Sequence, residues 1–454
     1  MVLRQFAEFA VARRQEPLGD ELSHAASRAV LDWFSATIPG AEMAPARILR
    51  EALIDQPGAA RLVSDGAAAP VRTAALINAT ASHTAELDDI FRDGIYHPGS
   101  PTVAAVLAAS EHLSAKTDRV ISGADLQRAL AVGYEIGDRI AGVIQPAHYR
   151  YWHTTGTVGT IGAAAAIAEL LRLDVDAFTH AMATATTMAA GLQQAFRSDS
   201  MSKPLHAGHA AEAGLLAGLA ASKGYTGAQS VLDGESGFGA GMSDAPDWDA
   251  AVAALGQPWG ITGATVKNHS CCGHTFAAVD AALALRSQGV KASDVEKITV
   301  ATYGTAVKVA GNPDPKSAFE AKFSTAYCVA AALELGSVRL RAFEPEQLEN
   351  PAIRALIGRT ELAVDLDYDA TFPKQRAARV EIVTRDGAEH SYFRPTRKGD
   401  PDDPLTDAEL QEKFDDLAVP VIGQESAAAL SDAIWKLAEL DDVRKLPISK
   451  GGGT

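Results

Sequence analysis

Alanine and glycine recur at helical spacing through the first 260 or so residues, and no other feature limits the fold as strongly. "DELSHAASRAVLDWFSATI" puts Leu22, Ala25, Ala29, Val30 and Phe34 on one face of a helix. "SPTVAAVLAASEHLSA" opens with Ser and Pro, both suited to a helix start. "GADLQRALAVGYEIGDRIAGVI" and "GTVGTIGAAAAIAELLRL" repeat the pattern. "MSKPLHAGHAAEAGLLAGLAASKGYTG" opens beside a proline and closes at Gly224, where glycine suits a left-handed cap. Side chains this small let helix backbones come close, so the expected fold class is mainly α, built around a large all-helical domain.

Near residue 260 the texture changes. "EKITVATYG" is a β-branched run, and "ARVEIVTRDGAEHSYF" carries two alternating runs around Asp386-Gly387, a hairpin pattern. Between them "SAFEAKFSTAYCVAAALELG" reads as one helix. Thr406 and Glu409 in "PLTDAELQEKF" stand at capping-box spacing, and helix returns from there. A chain of 454 residues exceeds one ordinary core. The expectation is a helical domain over residues 1–265 completed by 405–445, and a smaller α+β domain over 266–404, with "KGGGT" as a frayed tail.

Charge and cysteine content exclude several functions. With 41 Lys+Arg against 57 Asp+Glu, the net charge of −16 repels a phosphate backbone, so no nucleic-acid partner is expected. An anionic substrate would then need a locally positive site. Three cysteines, Cys271, Cys272 and Cys328, make no disulfide framework and suit a reducing cytoplasm. No signal-peptide pattern and no apolar run of membrane-spanning length is present, so no membrane association is expected.

Polar residues gather in five segments. "HTAELDDIFRDGIYHPGSP" holds His83, Glu86, Asp88, Asp89, Asp93 and His97; the others are "HYRYWHTTGTVG", "FRSDSMSKPLHAGH", "KNHSCCGHT" and "EAKFSTAY". A lone histidine or carboxylate is more often a cap or a solvated group than a catalyst. His269, Cys271, Cys272 and His274 are too crowded for tetrahedral zinc, and no second ligand pair follows. Three cysteines with two adjacent do not suit an iron–sulfur dehydratase. His206 and His209 share a helix face, but no HExxH motif results. Cys272 would need a base and an orienting partner to act as a nucleophile. "GTVGTIG" lacks the preceding strand and spacing of a dinucleotide fingerprint. General acid–base work on a carboxylate remains; Lys203, Lys267, His97 and His153 supply the cations and imidazoles it needs.

Taken together, "HTAELDDIFRDGIYHPGS", "YWHTTGTVGTIGAAAA", "SKPLHAGHAAEAGLLAGLAASKGYTG", "VLDGESGFGAG", "KNHSCCGHTFAAVDAAL" and "GDPDDPLTDAELQEKF" resemble the MmgE/PrpD family from about residue 5 to about 440. The family includes 2-methylcitrate dehydratase, cis-aconitate decarboxylase and iminodisuccinate epimerase. The resemblance implies a homodimer of helical domains with α+β lids, no metal and no organic cofactor, and a site between the domains. His97 matches the histidine of the family's "HP" segment, His153 the one before the "GTxG" run, Lys203 the lysine of "KPLH" and Lys267 the lysine opening the lid motif. Tyr327 matches a lid-helix tyrosine, and Glu86 stands where many members carry the first Asp of a DxDD segment, ahead of Asp88 and Asp89. Two positions depart from the decarboxylase pattern: Cys272 replaces a histidine and Ile90 a threonine.

The expected function is thus a cofactor-independent hydro-lyase that removes a proton next to a carboxylate of a small di- or tricarboxylate. Epimerisation, cis-aconitate decarboxylation and, last, a non-enzymatic binding module are the alternatives. His97, His153, Asp88, Asp89 and Lys203 are the expected catalytic residues; Lys267, Cys272, His274, Tyr327 and Glu86 are expected to bind substrate.

Overall fold

In a computed structural model describing residues 1–63, 65–196, 200–372 and 374–448, two compact units are present: Met1–Val266 with Thr406–Thr454, and Lys267–Leu405. The "KGGGT" tail and residues 197–199 lie outside the described residues. The principal helices of the first unit are α1 (Asp20–Ala41), α2 (Val71–Thr84), α3 (Gly99–Lys116), α4 (Gly123–Val143), α5 (Thr154–Leu170) and α6 (Ser202–Ala221). The second unit contributes α7 (Phe276–Ser287) and α8 (Thr325–Leu335), and α9 (Asp407–Ile422) belongs again to the first. Among the described residues no helix is long and apolar enough to cross a membrane.

All 17 residues of α5 are buried, as expected of a helix with no polar face. It packs against α4, α6 and α3. The contact with α6 is nearly backbone to backbone: a Cβ at Gly214 would lie 2.6 Å from Ala163 Cβ and 2.8 Å from the Thr160 carbonyl oxygen. The small residues are therefore what permits the central crossing. α2 lies against α6, α1 and α3, and its last turn brings His83 into the interior.

Two local expectations need correction. The buried face of α1 runs through Ala26, Val30, Leu31 and Phe34, with Leu22, Ala25 and Ala29 only partly covered, because the helix is enclosed more completely from Val30 onward. The stretch 318–335 is two helices, Ala318–Lys322 and α8, since Ser324 leaves the helical conformation to accept the Tyr327 N–H as an N-cap. Elsewhere Gly224 has the expected positive φ of 87°, and Thr406 and Glu409 form the capping box at the start of α9.

The second unit is organised on a four-stranded sheet, β1 (Val295–Thr302), β2 (Thr360–Val364), β3 (Ala378–Thr384) and β4 (Glu389–Arg394), in the order β2-β1-β3-β4. β1 runs parallel to β2 and antiparallel to β3, with Val300 opposite Leu362 on one side and Val380 on the other. β3 and β4 form the hairpin about Asp386-Gly387, with Val380 opposite Tyr392. Helices α7 and α8 pack together; Val279, Leu285, Val329 and Leu333 join Ile298, Val300, Val380 and Ile382 in one core.

Candidate active site

The acidic loop after α2 is held in a constrained shape. Ile90 exchanges backbone hydrogen bonds with Thr265, both at 2.8 Å, and Phe91 N–H donates to the Tyr96 carbonyl at 2.7 Å. Glu86 (φ 60°) and Ile95 (φ 47°) both adopt the left-handed region, which costs a non-glycine residue on the order of 1 kcal/mol and persists only where neighbours enforce it. Its result is to aim Glu86 at Lys203 of α6, with which it forms an ion pair. Lys203 thus already has a carboxylate partner within the chain.

Asp88 and Asp89 face different neighbours. Asp88 Oδ2 accepts from His83 Nδ1–H at 2.6 Å and from Ser100 Oγ–H at 2.8 Å, and lies 3.1 Å from His97 Nδ1. One carboxylate oxygen thus orients two imidazoles whose rings meet edge to face, with centroids 4.8 Å apart. Asp89 accepts instead from Tyr134 Oη–H at 2.8 Å and from Gly99 N–H at 3.0 Å, at the start of α3. Asp89, expected beside Asp88 as a catalytic group, instead contacts the start of α3. Burial above all, then the negative charge of Asp32, raises the Asp89 carboxyl to about 7, against the donors Tyr134 and Gly99.

His153 caps α5 and is buried, its backbone N–H donating to the Gly191 carbonyl at 2.9 Å. Its ring stacks on His83 with centroids 5.3 Å apart, and its Nδ1 lies 3.0 Å from Nδ1 of His206 on α6. Burial, reinforced by the positive charge of Lys203 and by His83, His206 and His97 close by, pushes the His153 imidazole well below its usual range. Burial thus favours the neutral form of His153. His206 is likewise lowered to about 4, chiefly by burial. The first unit thus gathers His83, His97, His153, His206, Lys203, Glu86 and Asp88 from α2, the loop after it, the start of α5 and α6. His83 lies inside the polar stretch with no role that the sequence suggests, and His206 shares a helix face with His209; only the fold turns it toward His153.

The ligand atoms of His83, Asp88 and His97 lie within 4.8 Å of one another, a grouping that sequence spacing does not reveal and that a small cation could accept. A hydrogen bond already joins His83 to Asp88 Oδ2, His97 Nδ1 faces the same oxygen at 3.1 Å, and the arrangement reads as an acid–base group.

In the second unit Lys267 is buried and Cys272 half-buried, with the Cys272 N–H donating to the Lys322 carbonyl at 2.8 Å. His274 Nδ1 is 2.7 Å from Tyr303 Oη, a partner that sequence reasoning missed. Burial, with Arg376 and Arg397 nearby, takes His274 down to about 4, and burial takes Tyr303 up to about 12. Tyr327 is fully buried and its hydroxyl donates to the Ala342 carbonyl at 2.6 Å, which commits its polar atom inside the unit.

Comparison with known proteins agrees in outline with the resemblance. Residues 4–251 match the MmgE/PrpD N-terminal domain and residues 269–439 the MmgE/PrpD C-terminal domain. The chain is 31% identical over 395 residues to the cis-aconitate decarboxylase-like protein oryM of Aspergillus oryzae, covering 83% of this chain and 81% of that protein. It is 28% identical over 436 residues to cis-aconitate decarboxylase of Aspergillus terreus, covering 91% and 87%. The Homo sapiens cis-aconitate decarboxylase is 28% identical over 381 residues, covering 82% and 78%. With both domain models matched over most of its length, the chain belongs to the MmgE/PrpD family.

Proposed function

We propose that the protein is a lyase of small di- or tricarboxylates, working by proton transfer at a carbon next to a carboxylate, with dehydration as the first reading. The observation that carries it is the buried group in which Asp88 orients His83 and His97 beside the neutral imidazole of His153. A proton next to a carboxylate is weakly acidic, because its removal adds charge to a group already anionic. A neutral imidazole, dry and well placed, is a suitable base for it; His153 takes that role. His97 takes the role of acid: the Asp88 carboxylate facing its Nδ1 stabilises the imidazolium and leaves Nε2 to donate to the departing hydroxyl. Lys203 stabilises the charge that builds on the substrate carboxylate, exchanging Glu86 for it.

Decarboxylation of a cis-aconitate-like acid is the second reading, favoured by the names of the relatives. There carbon dioxide leaves first and the same imidazoles protonate the carbanion. Epimerisation would use them on opposite faces of one carbon. Substrate-binding roles for Lys267, Cys272 and His274 rest on the resemblance, as does a homodimer, and a cytoplasmic location rests on the sparse cysteines.

The test is a panel of citrate, 2-methylcitrate, cis-aconitate, tartrate and iminodisuccinate, offered after exhaustive dialysis against EDTA. Enoate absorbance reports dehydration, carbon dioxide release reports decarboxylation, and deuterium uptake without a new product reports epimerisation. Turnover of at least one acid without added metal is expected. Binding without turnover, or activity restored only by one particular metal, would contradict the proposal.

A further inference from the structure

His206 lies against His153, and nothing in the acid–base scheme uses it. The two Nδ1 atoms are 3.0 Å apart, a hydrogen-bond distance. A neutral imidazole has one N–H and one lone pair, so such a contact needs one ring to donate and the other to accept. The rings must then hold opposite tautomers. The backbone is shaped around the pair: Gly191 accepts the His153 N–H, and a Cβ there would lie 3.1 Å from His206 Nδ1 and 3.4 Å from His153 Cβ, at a φ of 134° that disfavours side chains anyway. His153 is buried at 2% exposure whereas His206 is only partly covered, so the pair leads outward from the interior.

We propose that His206 is the proton outlet of His153, an inference that rests on the assignment of His153 as the base. In the resting pair His153 Nδ1–H donates to the Nδ1 lone pair of His206, whose own proton is on Nε2. His153 Nε2 takes the proton from substrate carbon, and the electron pair of the broken C–H bond stays on the substrate. The Nδ1 proton of the His153 imidazolium then passes to His206 Nδ1. His153 is left neutral with its proton on Nε2, and His206 is cationic. His206 releases its Nε2 proton to water. The pair is reset when His206 Nδ1 returns its proton to His153 Nδ1, His206 Nε2 takes a proton back from water, and the Nε2 proton of His153 passes to product or water. The charged and titratable groups around His206 are His153 from the start of α5, His83 from α2, and Lys203 and His209 of its own helix. All four are cationic when protonated or always so, which favours discharge of the proton to water over its retention. His206 is on this reading a positioning and relay residue, not one that touches substrate.

The test has two arms. The substrate-free arm is NMR of full-length protein labelled with 15N and 13C in histidine, its signals assigned by single substitutions. Opposite neutral tautomers for His153 and His206 are expected; identical tautomers would overturn the relay. This arm stands whether or not the proposed reaction is right. The kinetic arm uses cis-aconitate, or whichever acid of the panel turns over. His206→Ala should lower kcat about 10- to 100-fold with KM within about twofold, and added imidazole should restore part of the loss. His206→Asn can keep a hydrogen bond to His153 but cannot relay a proton, so its kcat should fall equally. Wild-type kcat in folded His206→Asn, or no response of His206→Ala to imidazole, would overturn the relay. Failure of every acid to react would instead count against the proposed function alone.

Discussion

Asp88 and Asp89 are adjacent in sequence and opposite in setting, and the difference can be measured. Asp89 is raised to about 7 by burial, so between pH 4 and pH 7 the folded chain holds a proton that the unfolded chain has lost. Stability from this group therefore falls as pH rises across that window, by on the order of a few kcal/mol. Asp89→Asn removes the titration and keeps an acceptor for Gly99. The Tm of the variant relative to wild type should be higher at pH 8 than at pH 5; an equal difference at both would show that Asp89 is not buried as an acid. The crowding of acids and imidazoles in residues 83–101 was legible in the sequence. Which aspartate faces the histidines was not, because that depends on the bridge between Ile90 and Thr265, some 175 residues apart, and on left-handed turns at Glu86 and Ile95 that no side-chain preference announces.

At the scale of elements, α9 is tied to α1 by a buried ion pair. Lys413 Nζ donates to Asp32 Oδ1 at 2.5 Å and to the Leu87 carbonyl at 2.8 Å, and both side chains are fully enclosed. Burial raises the Asp32 carboxyl, and the Lys413 ammonium opposes that rise. The same lysine thus braces the residue before Asp88. Lys413→Leu strands a buried carboxylate and should cost about 3–5 kcal/mol, the usual scale for breaking such a pair. The Asp32→Leu/Lys413→Leu double variant should regain much of it. Chemical denaturation reads both; an unchanged midpoint for Lys413→Leu would contradict the role. The capping box of Thr406 and Glu409 and the hairpin at Asp386-Gly387 were readable because each is a local pattern. Lys413 was not, since in "AELQEKFDD" it looks like one more charge on a solvated face. The break at Ser324 was missed for the converse reason: the apolar run continues across it, and only its cap interrupts the helix.

For the whole molecule, small residues at helical spacing led to a mainly α fold because only close-packed helices bury them well. They could not show that α2, the loop after it, the start of α5 and α6 bring four imidazoles together, a matter of how the helices are arranged. The net charge of −16 sharpens the point: in an acidic chain, a dry group of imidazoles beside Lys203 is a local exception suited to an anion. The most direct test of the central claim is NMR in D2O of the hydrogen at the carbon next to a carboxylate of the acid that turns over: its removal on dehydration, or deuterium uptake there on decarboxylation or epimerisation. It should be followed for wild type, His97→Gln and His153→Asn, with circular dichroism to confirm folding. The expected result is removal or exchange of that hydrogen by wild type and a rate roughly 100-fold or more lower in each folded variant, the scale of a lost general acid or base. Wild-type rates in both folded variants would contradict the assignment of proton transfer to this group.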